Sequence, residues 1–198
     1  MIIIYEESPA LCDKKVPFNV KQQRLAILFI IQYNSKLDRY ALTGGIMAEA
    51  DFSVRVRPMT MMDISAVAAL EAEIFTDPWS EKLYRETLES GRYDCRVLEV
   101  DTMSVGYFCG QVILDEAEVH RIAVQPAQRG CGYGQVLLED FLKRVQEKGV
   151  LTVLLEVRAG NVPAIGLYEK NGFAKIGLRK EYYQNPKEDA LILQRSLA

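Results

Sequence analysis

The sequence has few residues of the kinds that bind metal ions or build disulfide frameworks. Its 198 residues include a single histidine, His120, and four widely spaced cysteines, Cys12, Cys95, Cys109 and Cys131. A structural zinc site needs closely spaced cysteines and histidines, and a disulfide framework is typical of short, cysteine-dense chains. We therefore expect neither, and we expect no metal.

An excess of basic residues is also missing. The chain has 24 Lys and Arg against 27 Asp and Glu, which gives a formal net charge of -3. Proteins that bind nucleic acids without regard to sequence rely on a basic surface that displaces counterions from the phosphates. The charge therefore argues against direct nucleic-acid binding, whereas a basic protein partner is compatible with it.

No apolar run is long enough to cross a bilayer, which requires about 20 residues. The run from Leu25 to Ile31 follows several basic residues, as in a signal peptide, but no small-x-small cleavage site comes soon after it. We therefore expect a cytoplasmic protein that does not enter membranes. The sequence specifies no oligomeric state, and we expect a monomer or a weak dimer.

A regular alternation of β-rich and helical patterns begins at Ser53. Residues 1–46 contain apolar runs without a sustained period and no capped helix. We therefore predict an irregular N-terminal extension, 1–46, and a folded domain, 47–198. Codons for residues 43–45 can spell a ribosome-binding sequence just before the codon of Met47, so we expect Met47 to be the physiological start and the extension not to be native.

Helix caps and alternating apolar residues predict the elements of this domain. Thr60 and Asp63 form a capping box that begins the first helix, and Ser80 caps the second. A polar stretch containing Tyr182 and Tyr183 separates the last two predicted strands. The predicted helices are 60–74, 80–90, 134–148 and 161–169, and the predicted strands are 53–57, 95–100, 105–114, 117–124, 151–157, 173–179 and 190–193. This order predicts an α/β fold with one mixed sheet of about six to seven strands, flanked by about four helices on both faces.

The most informative segment is a glycine-rich turn between a predicted strand and a predicted helix. It runs from Arg129 to Gly134 and contains Gly130 and Gly132. Glycines let the backbone approach a ligand, and a helix N-terminus offers unpaired N–H groups and a positive dipole end, which together suit a diphosphate. No Lys-Ser/Thr pair follows, so the turn is not a P-loop. A tight turn without a ligand is the alternative that the glycine spacing leaves open.

Several linked motifs resemble the GNAT superfamily of acetyltransferases. Arg129–Gly134 resembles its Arg/Gln-x-x-Gly-x-Gly/Ala pyrophosphate loop, and Ile122–Pro126 resembles the strand end that precedes this loop. The second half of the family is resembled, in order, by Leu155–Asn161, Ala164–Ile165, Leu167–Glu169 and Asn171–Phe173. RimI-type ribosomal-protein-alanine N-acetyltransferases are further resembled by Pro78–Ser80, Tyr182–Tyr183 and Glu188–Ala190. The resemblance covers about residues 54–193 and does not include residues 1–46.

The resemblance implies that acetyl-coenzyme A (acetyl-CoA) is the cosubstrate. Its pyrophosphate would contact the backbone of the glycine-rich turn, and its pantetheine arm would run beside the preceding strand. The implied binding residues are Ile122, Ala123, Val124, Arg129, Gly130, Cys131, Gly132, Tyr133, Gly134, Asn161 and Tyr168. Asn161 is also a natural N-cap for the helix that follows it.

The resemblance also implies catalytic roles for two residues. Glu156 would take a proton from the acceptor amine, and Tyr168 would protonate the departing thiolate. Without the resemblance, a solvated carboxylate at a strand end and a core aromatic would explain them equally well. Glu118 and His120 share a face of the strand before the glycine-rich turn, and they are alternatives for the role of base.

The acceptor groove implied by the resemblance is flanked by Trp79 and by the tyrosines Tyr182 and Tyr183. Together with Glu118 and His120, these are the candidate substrate-binding residues. The implied acceptor is the N-terminal α-amine of a protein, specifically the N-terminal alanine of a small-subunit ribosomal protein, which attacks the thioester directly in a ternary complex.

Two other functions are compatible with the sequence. GNAT enzymes share a fold and differ in the acceptor groove, so a small amine such as a polyamine, an aminoglycoside or an amino acid is an alternative acceptor. A domain that binds CoA without turnover is the other alternative, and the presence of both Glu156 and Tyr168 argues against it.

Overall fold

Helices and strands follow one another in the order that the sequence predicts. The computed structural model describes residues 53–197. The strands of this part are β1 (Val54–Pro58), β2 (Tyr93–Val100), β3 (Met103–Ile113), β4 (Glu116–Val124), β5 (Thr152–Arg158), β6 (Ala174–Gln184) and β7 (Lys187–Ser196). Its α-helices are α1 (Ile64–Ile74), α2 (Glu81–Glu89), α3 (Tyr133–Glu147) and α4 (Val162–Lys170). The predicted extension, 1–46, and its boundary lie outside the described residues.

The seven strands form one mixed sheet in the order β1-β2-β3-β4-β5-β7-β6. β4 and β5 pair in parallel because α3 carries the chain back across the sheet between them. The other neighbouring strands pair antiparallel. The predicted mixed sheet with helices on both faces is confirmed, and it places the first halves of β4 and β5 side by side at its centre.

Two clusters of buried side chains cover the opposite faces of the sheet. The first cluster packs α3 and α4 against the sheet and includes Phe108, Phe141 and Leu155. The second packs α1 and α2 against the other face and includes Tyr84 and Tyr107. The central strands β2, β3 and β4 contribute to both clusters, because successive side chains of a strand point to opposite faces. The second face carries the acceptor cleft described below.

The capping box that the sequence predicts begins a 3-10 turn, Met61–Asp63, which leads directly into α1. The Asp63 carboxylate accepts hydrogen bonds from the backbone N–H of Thr60 at 2.7 Å and from two nitrogens of Arg57 at 2.6 and 2.8 Å. Arg57 lies on β1, so this cluster ties the first strand to the first helical turn. Hydrogen bonding from Arg57 is the largest cause that lowers the pKa of Asp63 to about 2.

The prediction of a polar stretch between the last two strands is wrong. β6 continues to Gln184, so that Tyr182 and Tyr183 are strand residues, and β7 begins at Lys187. The register between β6 and β7 shifts between Arg179 and Tyr183, which interrupts the alternation of side chains that identifies a strand in a sequence. As an edge strand, β6 also tolerates the charged residues that resemble a loop.

Cys95 on β2 and Cys109 on β3 are directly opposite each other in the antiparallel register. Both are buried free thiols, and their sulfur atoms lie 2.7 Å apart. Burial raises the pKa of the Cys109 thiol. Among residues 53–197, no helix is both long enough and apolar enough to span a membrane.

Candidate active site

The central feature of the site is the divergence of β4 and β5. Their pairing begins at Glu116 opposite Thr152 and ends at Val119 opposite Leu155, although both strands continue beyond this point. On its other edge, β4 stays paired with β3 as far as Val124. Within residues 53–197, no strand pairs with the edge of residues 120–124 that faces β5, a geometry that suits an extended ligand. Glu156 is the first residue of β5 beyond the last pair.

A β-bulge in β4 changes which side chains face the acceptor side of the sheet. Cys109 pairs with Arg121 whereas the next residue of β3, Gly110, pairs with Val119, so His120 is the extra residue. His120 contacts the rings of Trp79 and Tyr93, with centroid distances of 6.4 and 5.6 Å. The Arg121 guanidinium lies over the same Trp79 ring, 4.8 Å from its centroid. Two consecutive side chains of β4 are thus directed to the α1–α2 face.

Glu156 lies among polar side chains at the point where the strands diverge. Its carboxylate is 2.9 Å from Nε of Arg179, and 20% of its side chain is exposed. Burial is the largest cause that raises the pKa of Tyr182, and a hydrogen bond to Glu156 adds to it. The charge of Glu118 on β4 raises the same pKa, so both carboxylates lie near the Tyr182 hydroxyl. The fold therefore brings together Glu156, Glu118 and Tyr182.

Tyr168 on α4 is fully buried, and its ring packs against Phe173 with 5.6 Å between the centroids. Its hydroxyl has no hydrogen-bond partner among the described residues. Burial raises the pKa of Tyr168 well above its usual value, with a smaller contribution from Tyr183. The hydroxyl is therefore protonated at neutral pH, and its role as general acid stays a prediction.

The glycine-rich turn joins β4 to α3. A 3-10 turn, Pro126–Gln128, comes first, and α3 then begins at Tyr133. Gly130 and Gly132 have φ angles of 76° and 81°, a left-handed backbone that favours glycine. The hydrogen-bonded ladder of α3 begins where the N–H of Val136 donates to the carbonyl of Gly132 at 3.1 Å. The N–H groups of residues 133–135, in the first turn of α3, thus precede the hydrogen-bonded ladder of the helix, where an anion can accept from them.

Other predicted cofactor residues could act only through their backbone. The side chains of Ile122, Val124 and Tyr133 pack in the cluster with α3 and α4, and Ala123 packs in the cluster on the other face. Asn161 is the N-cap of α4, since its side-chain oxygen accepts a hydrogen bond from the N–H of Ala164 at 3.3 Å. Its role as a cap is confirmed, and its contact with CoA stays a prediction.

A cleft of about 410 Å³ opens on the α1–α2 face of the sheet, where the sequence predicts the acceptor groove. It lies between the connection from α1 to α2, the β6–β7 hairpin and the strand residues Arg121 and Arg158. Tyr182 and Tyr183 line it, whereas Trp79 is a neighbour of Arg121, and the role of all three in binding an acceptor stays a prediction. The remaining lining residues are Thr76, Asp77, Gln184 and Asn185.

Arg158 holds two walls of this cleft together. Its guanidinium donates to the carbonyl oxygens of Asn185 and Pro186 at 2.9 and 3.1 Å, and to Oγ1 of Thr76 at 3.1 Å. It also pairs with Glu188 at 2.9 Å. The sequence analysis did not select Arg158, because its partners on the hairpin follow it by 27 to 30 residues. In the sequence, its position two residues after Glu156, on the same face of β5, was the only indication that Arg158 belongs to the site.

These residues fit acetyl-CoA. The left-handed turn and the start of α3 suit a diphosphate, and the open edge of β4 suits an extended arm that pairs with backbone groups. The buried hydroxyl of Tyr168, which has no partner among the described residues, stays a predicted contact of the cosubstrate.

Comparison with known proteins also indicates an enzyme that uses acetyl-CoA. Residues 64–173 match the Acetyltransferase (GNAT) family. A relative from Bacillus subtilis (strain 168) is 40% identical over 140 residues, which cover 70% of this chain and 92% of the relative. The ribosomal protein bS18-alanine N-acetyltransferase of Salmonella typhimurium (strain LT2) is 36% identical over 137 residues, covering 68% of this chain and 92% of the relative.

A solved structure of a relative has the same fold as this chain. The ribosomal-protein-S18-alanine N-acetyltransferase from Escherichia coli superposes with a TM-score of 0.69 and 33% sequence identity, covering 74% of this chain and 95% of that chain. Both the family and the fold that the motifs predicted are thereby confirmed. The chain belongs to the GNAT family of acetyltransferases, and it is an N-acetyltransferase that uses acetyl-CoA.

Proposed function

We propose that this protein acetylates the α-amine of an N-terminal alanine, and that its acceptor is ribosomal protein bS18. The Salmonella and Escherichia coli relatives carry this activity in their names, and the chain covers 92% and 95% of their lengths. The observation that carries the proposal is the place of Glu156, at the opening between β4 and β5 and beside the acceptor cleft.

Glu156 acts as the general base in this proposal. Arg179 contacts its carboxylate at 2.9 Å, and the Tyr182 hydroxyl lies nearby. It receives the proton of the acceptor amine directly or through one water molecule. Glu118, on the opposite strand of the opening, is a second carboxylate near Tyr182 and shares the negative potential that attracts an ammonium group.

The preference for an α-amine follows from proton affinity. An α-amine has a reference pKa near 8, compared with about 10.4 for a lysine side chain. A much larger fraction of the α-amine is therefore neutral and nucleophilic at pH 7. A carboxylate is a weak base, and it is adequate for the proton of such an amine.

Tyr168 acts as the general acid. Acetyl-CoA supplies the activated thioester when it is bound. The Tyr168 hydroxyl is buried, protonated and without a partner among the described residues, so it can donate a proton to the sulfur as the thiolate leaves. The backbone of Arg129–Gly134 and the open edge of β4 bind and orient the cosubstrate in this proposal.

The cleft suits the first residues of a peptide. Its volume of about 410 Å³ lies in the range of small-ligand sites, and its rim is formed by exposed residues such as Thr76 and Asp77. An extended chain can leave it toward solvent, as the acceptor in a protein must.

The direct test is mass spectrometry of three acceptors incubated with acetyl-CoA and the enzyme. A peptide with the N-terminal sequence of bS18 should gain one acetyl group, located on its first residue by fragmentation. The same peptide with a blocked N-terminus and an internal lysine should gain none, and spermidine should be a poor acceptor. Preferential acetylation of the lysine or of spermidine would contradict the proposal.

A further inference from the structure

Strand β6 contains a bulge where it borders the acceptor cleft. Pairing with β7 is interrupted between Arg179 and Tyr183, so that residues 180–182 lie opposite the single residue Asp189 of β7. In a regular strand, successive side chains point to opposite faces of the sheet. Tyr182 and Tyr183 are successive residues, yet both line the cleft. The bulge therefore explains how two neighbouring tyrosines face the same site.

Glu181, in the middle of the bulge, has an unusual backbone conformation. Its φ angle is 51°, in the left-handed region that residues other than glycine seldom adopt. Its N–H donates to Oδ1 of Asp189 at 2.7 Å, and its carbonyl accepts from the side chain of Gln184 at 2.9 Å. The bond to Asp189 joins the bulge to the opposite strand, and a carboxylate is a strong acceptor for a backbone N–H. The Asp189 side chain therefore holds the bulge in this conformation.

Asp189 is itself anchored to the strand that carries Glu156. Its backbone carbonyl accepts a hydrogen bond at 3.0 Å from the N–H of Ala159, the first residue after β5. The preceding residue, Glu188, pairs with Arg158 at the end of β5 at 2.9 Å. The backbone of Asp189 is thus fixed relative to β5, and its side chain extends that anchor to the bulge.

The two tyrosines that the bulge directs have different surroundings. The Tyr182 ring lies 5.3 Å from the guanidinium of Arg179, which also contacts Glu156. The Tyr183 ring lies 4.1 Å from the guanidinium of Arg158 and is 5% exposed. The Tyr183 hydroxyl has no hydrogen-bond partner among the described residues, although buried hydroxyls normally have one. A buried hydroxyl without a partner, on the wall of the cleft, suits a polar group of the acceptor.

We propose that Asp189 is a positioning residue for the acceptor, because its hydrogen bond to the backbone of Glu181 fixes the bulge that directs both tyrosines to the cleft. Asp189 is not one of the residues that line the cleft, so it acts through the tyrosines. The inference rests on the proposed function, since it takes the cleft to be the site of the acceptor. It also gives a role to the motif Glu188–Ala190, which the proposed chemistry does not use.

The test uses steady-state kinetics of the full chain with acetyl-CoA and an alanine-initiated peptide. Asp189→Ala removes the side-chain acceptor and leaves the backbone bond to Ala159 in place. Loss of one hydrogen bond typically costs a factor of about 5. We expect the KM of the peptide to rise by about this factor and the KM of acetyl-CoA to stay unchanged. Partial unfolding cannot imitate this result, because KM does not depend on how much of the enzyme is folded.

Two further variants separate the hydrogen bond from the charge and from general destabilisation. Asp189→Asn removes the same charge but keeps Oδ1 as an acceptor, so its peptide KM should stay close to that of the parent. Asp63→Ala is the matched control, because Asp63 also accepts from a backbone N–H at 2.7 Å, that of Thr60, but before α1. It should lower stability and leave the peptide KM unchanged.

A third comparison tests whether Asp189 acts through the tyrosines. Tyr182→Phe/Tyr183→Phe removes both hydroxyls and should raise the peptide KM by itself. Adding Asp189→Ala to this double variant should then change the KM little, because residues that act on the same contact have effects that do not add.

The outcomes distinguish this inference from the proposed function. If the parent does not acetylate the peptide, the proposed function fails, and the inference fails with it. If the parent acetylates the peptide but Asp189→Ala and Asp189→Asn have the same peptide KM, the hydrogen bond has no role and the inference alone is wrong. It is also wrong if Asp189→Ala raises the KM by the same factor with and without the tyrosine hydroxyls.

Discussion

At the scale of single residues, the site depends on ionisable groups whose surroundings differ sharply. Glu156 is partly exposed and paired with Arg179. Tyr168 has no exposed surface, and burial raises its pKa, so it stays a proton donor. An acid and a base with separate environments are what an acyl transfer between two bound substrates needs.

We predict that Tyr168→Phe lowers kcat by about 10-fold or more, because removal of a general acid typically costs at least this factor. The substitution removes a hydroxyl that has no partner among the described residues, so the fold should not lose a hydrogen bond. Binding of acetyl-CoA, measured by calorimetry, should stay close to that of the parent. A variant with parental kcat would show that another group protonates the thiolate.

Sequence patterns predicted residues whose role is local. Asn161 was identifiable as a cap because its partner, Ala164, is three residues away. Arg121 and its partner Glu71 are 50 residues apart, and the bulge that brings Arg121 onto the cleft face has no sequence signature of its own. Long-range partners of this kind require the strand register, which the sequence alone does not supply.

At the scale of elements, the segment before α1 and the segment before α3 have different roles: the first affects stability, and the second is proposed to bind the cosubstrate. The capping cluster of Asp63 stabilises the fold, whereas the glycine-rich turn before α3 is where the proposal places the cosubstrate. Strand β6 shows the limit of element prediction: its first half was predicted, and its second half, with Tyr182 and Tyr183, was hidden by the shift in register.

We predict a pH-dependent loss of stability in Asp63→Asn. The pKa of Asp63 is lowered to about 2, from an ordinary 3.8, so its ionised form stabilises the fold above pH 3.8, and this stabilisation is lost as the pH falls toward 2. The variant should therefore be less stable than the parent by about 1 kcal/mol at pH 7. The difference should shrink between pH 3.8 and 2.

Urea unfolding at a series of pH values measures this difference. Asp115→Asn, in the exposed turn between β3 and β4, is the control and should show no such dependence. A stability difference between Asp63→Asn and the parent that does not change with pH would rule out ionisation of Asp63 as its source.

We also predict that Gly132→Val abolishes stabilisation by acetyl-CoA. Ligand at about 100 times its dissociation constant should add about 2.7 kcal/mol to the parent's free energy of unfolding. A β-branched residue is strained at a φ of 81°, and it would disturb the backbone donors of the turn. Thermal unfolding with and without acetyl-CoA measures the effect.

Gly149→Val is the control for backbone strain. Gly149 has a φ of 75° at the end of α3, away from the glycine-rich turn, and a Cβ there would meet no atom within 4 Å. It should lower stability similarly while keeping the full acetyl-CoA shift. Equal shifts in both variants would mean that the cosubstrate does not use this turn.

At the scale of the whole molecule, the family match falls within the part of the chain whose fold is described. The 140 residues shared with the Bacillus subtilis relative span 92% of that protein, and the family match lies within residues 53–197. The order of strands and helices was predictable because each element has its own caps and period. The divergence of β4 and β5, which makes the site, was not, since it arises from pairing between strands.

We propose that residues 1–46 contribute nothing to catalysis, and we predict that a chain beginning at Met47 folds and acetylates like the full chain. It retains every residue of the site and all of the matched family region. The measurements are kcat/KM for an alanine-initiated peptide and the melting temperature of both chains. A shortened chain that is well expressed but inactive would assign a role to the extension.

The most direct test of the account is the turnover of Glu156→Gln with the bS18 N-terminal peptide and acetyl-CoA, compared with Glu118→Gln. Both substitutions remove a charge near Tyr182, but only Glu156 is proposed to take the proton. We predict that Glu156→Gln lowers kcat by about 10² to 10⁴-fold, and that Glu118→Gln lowers it far less. Near-parental turnover in Glu156→Gln, or a larger loss in Glu118→Gln, would contradict it.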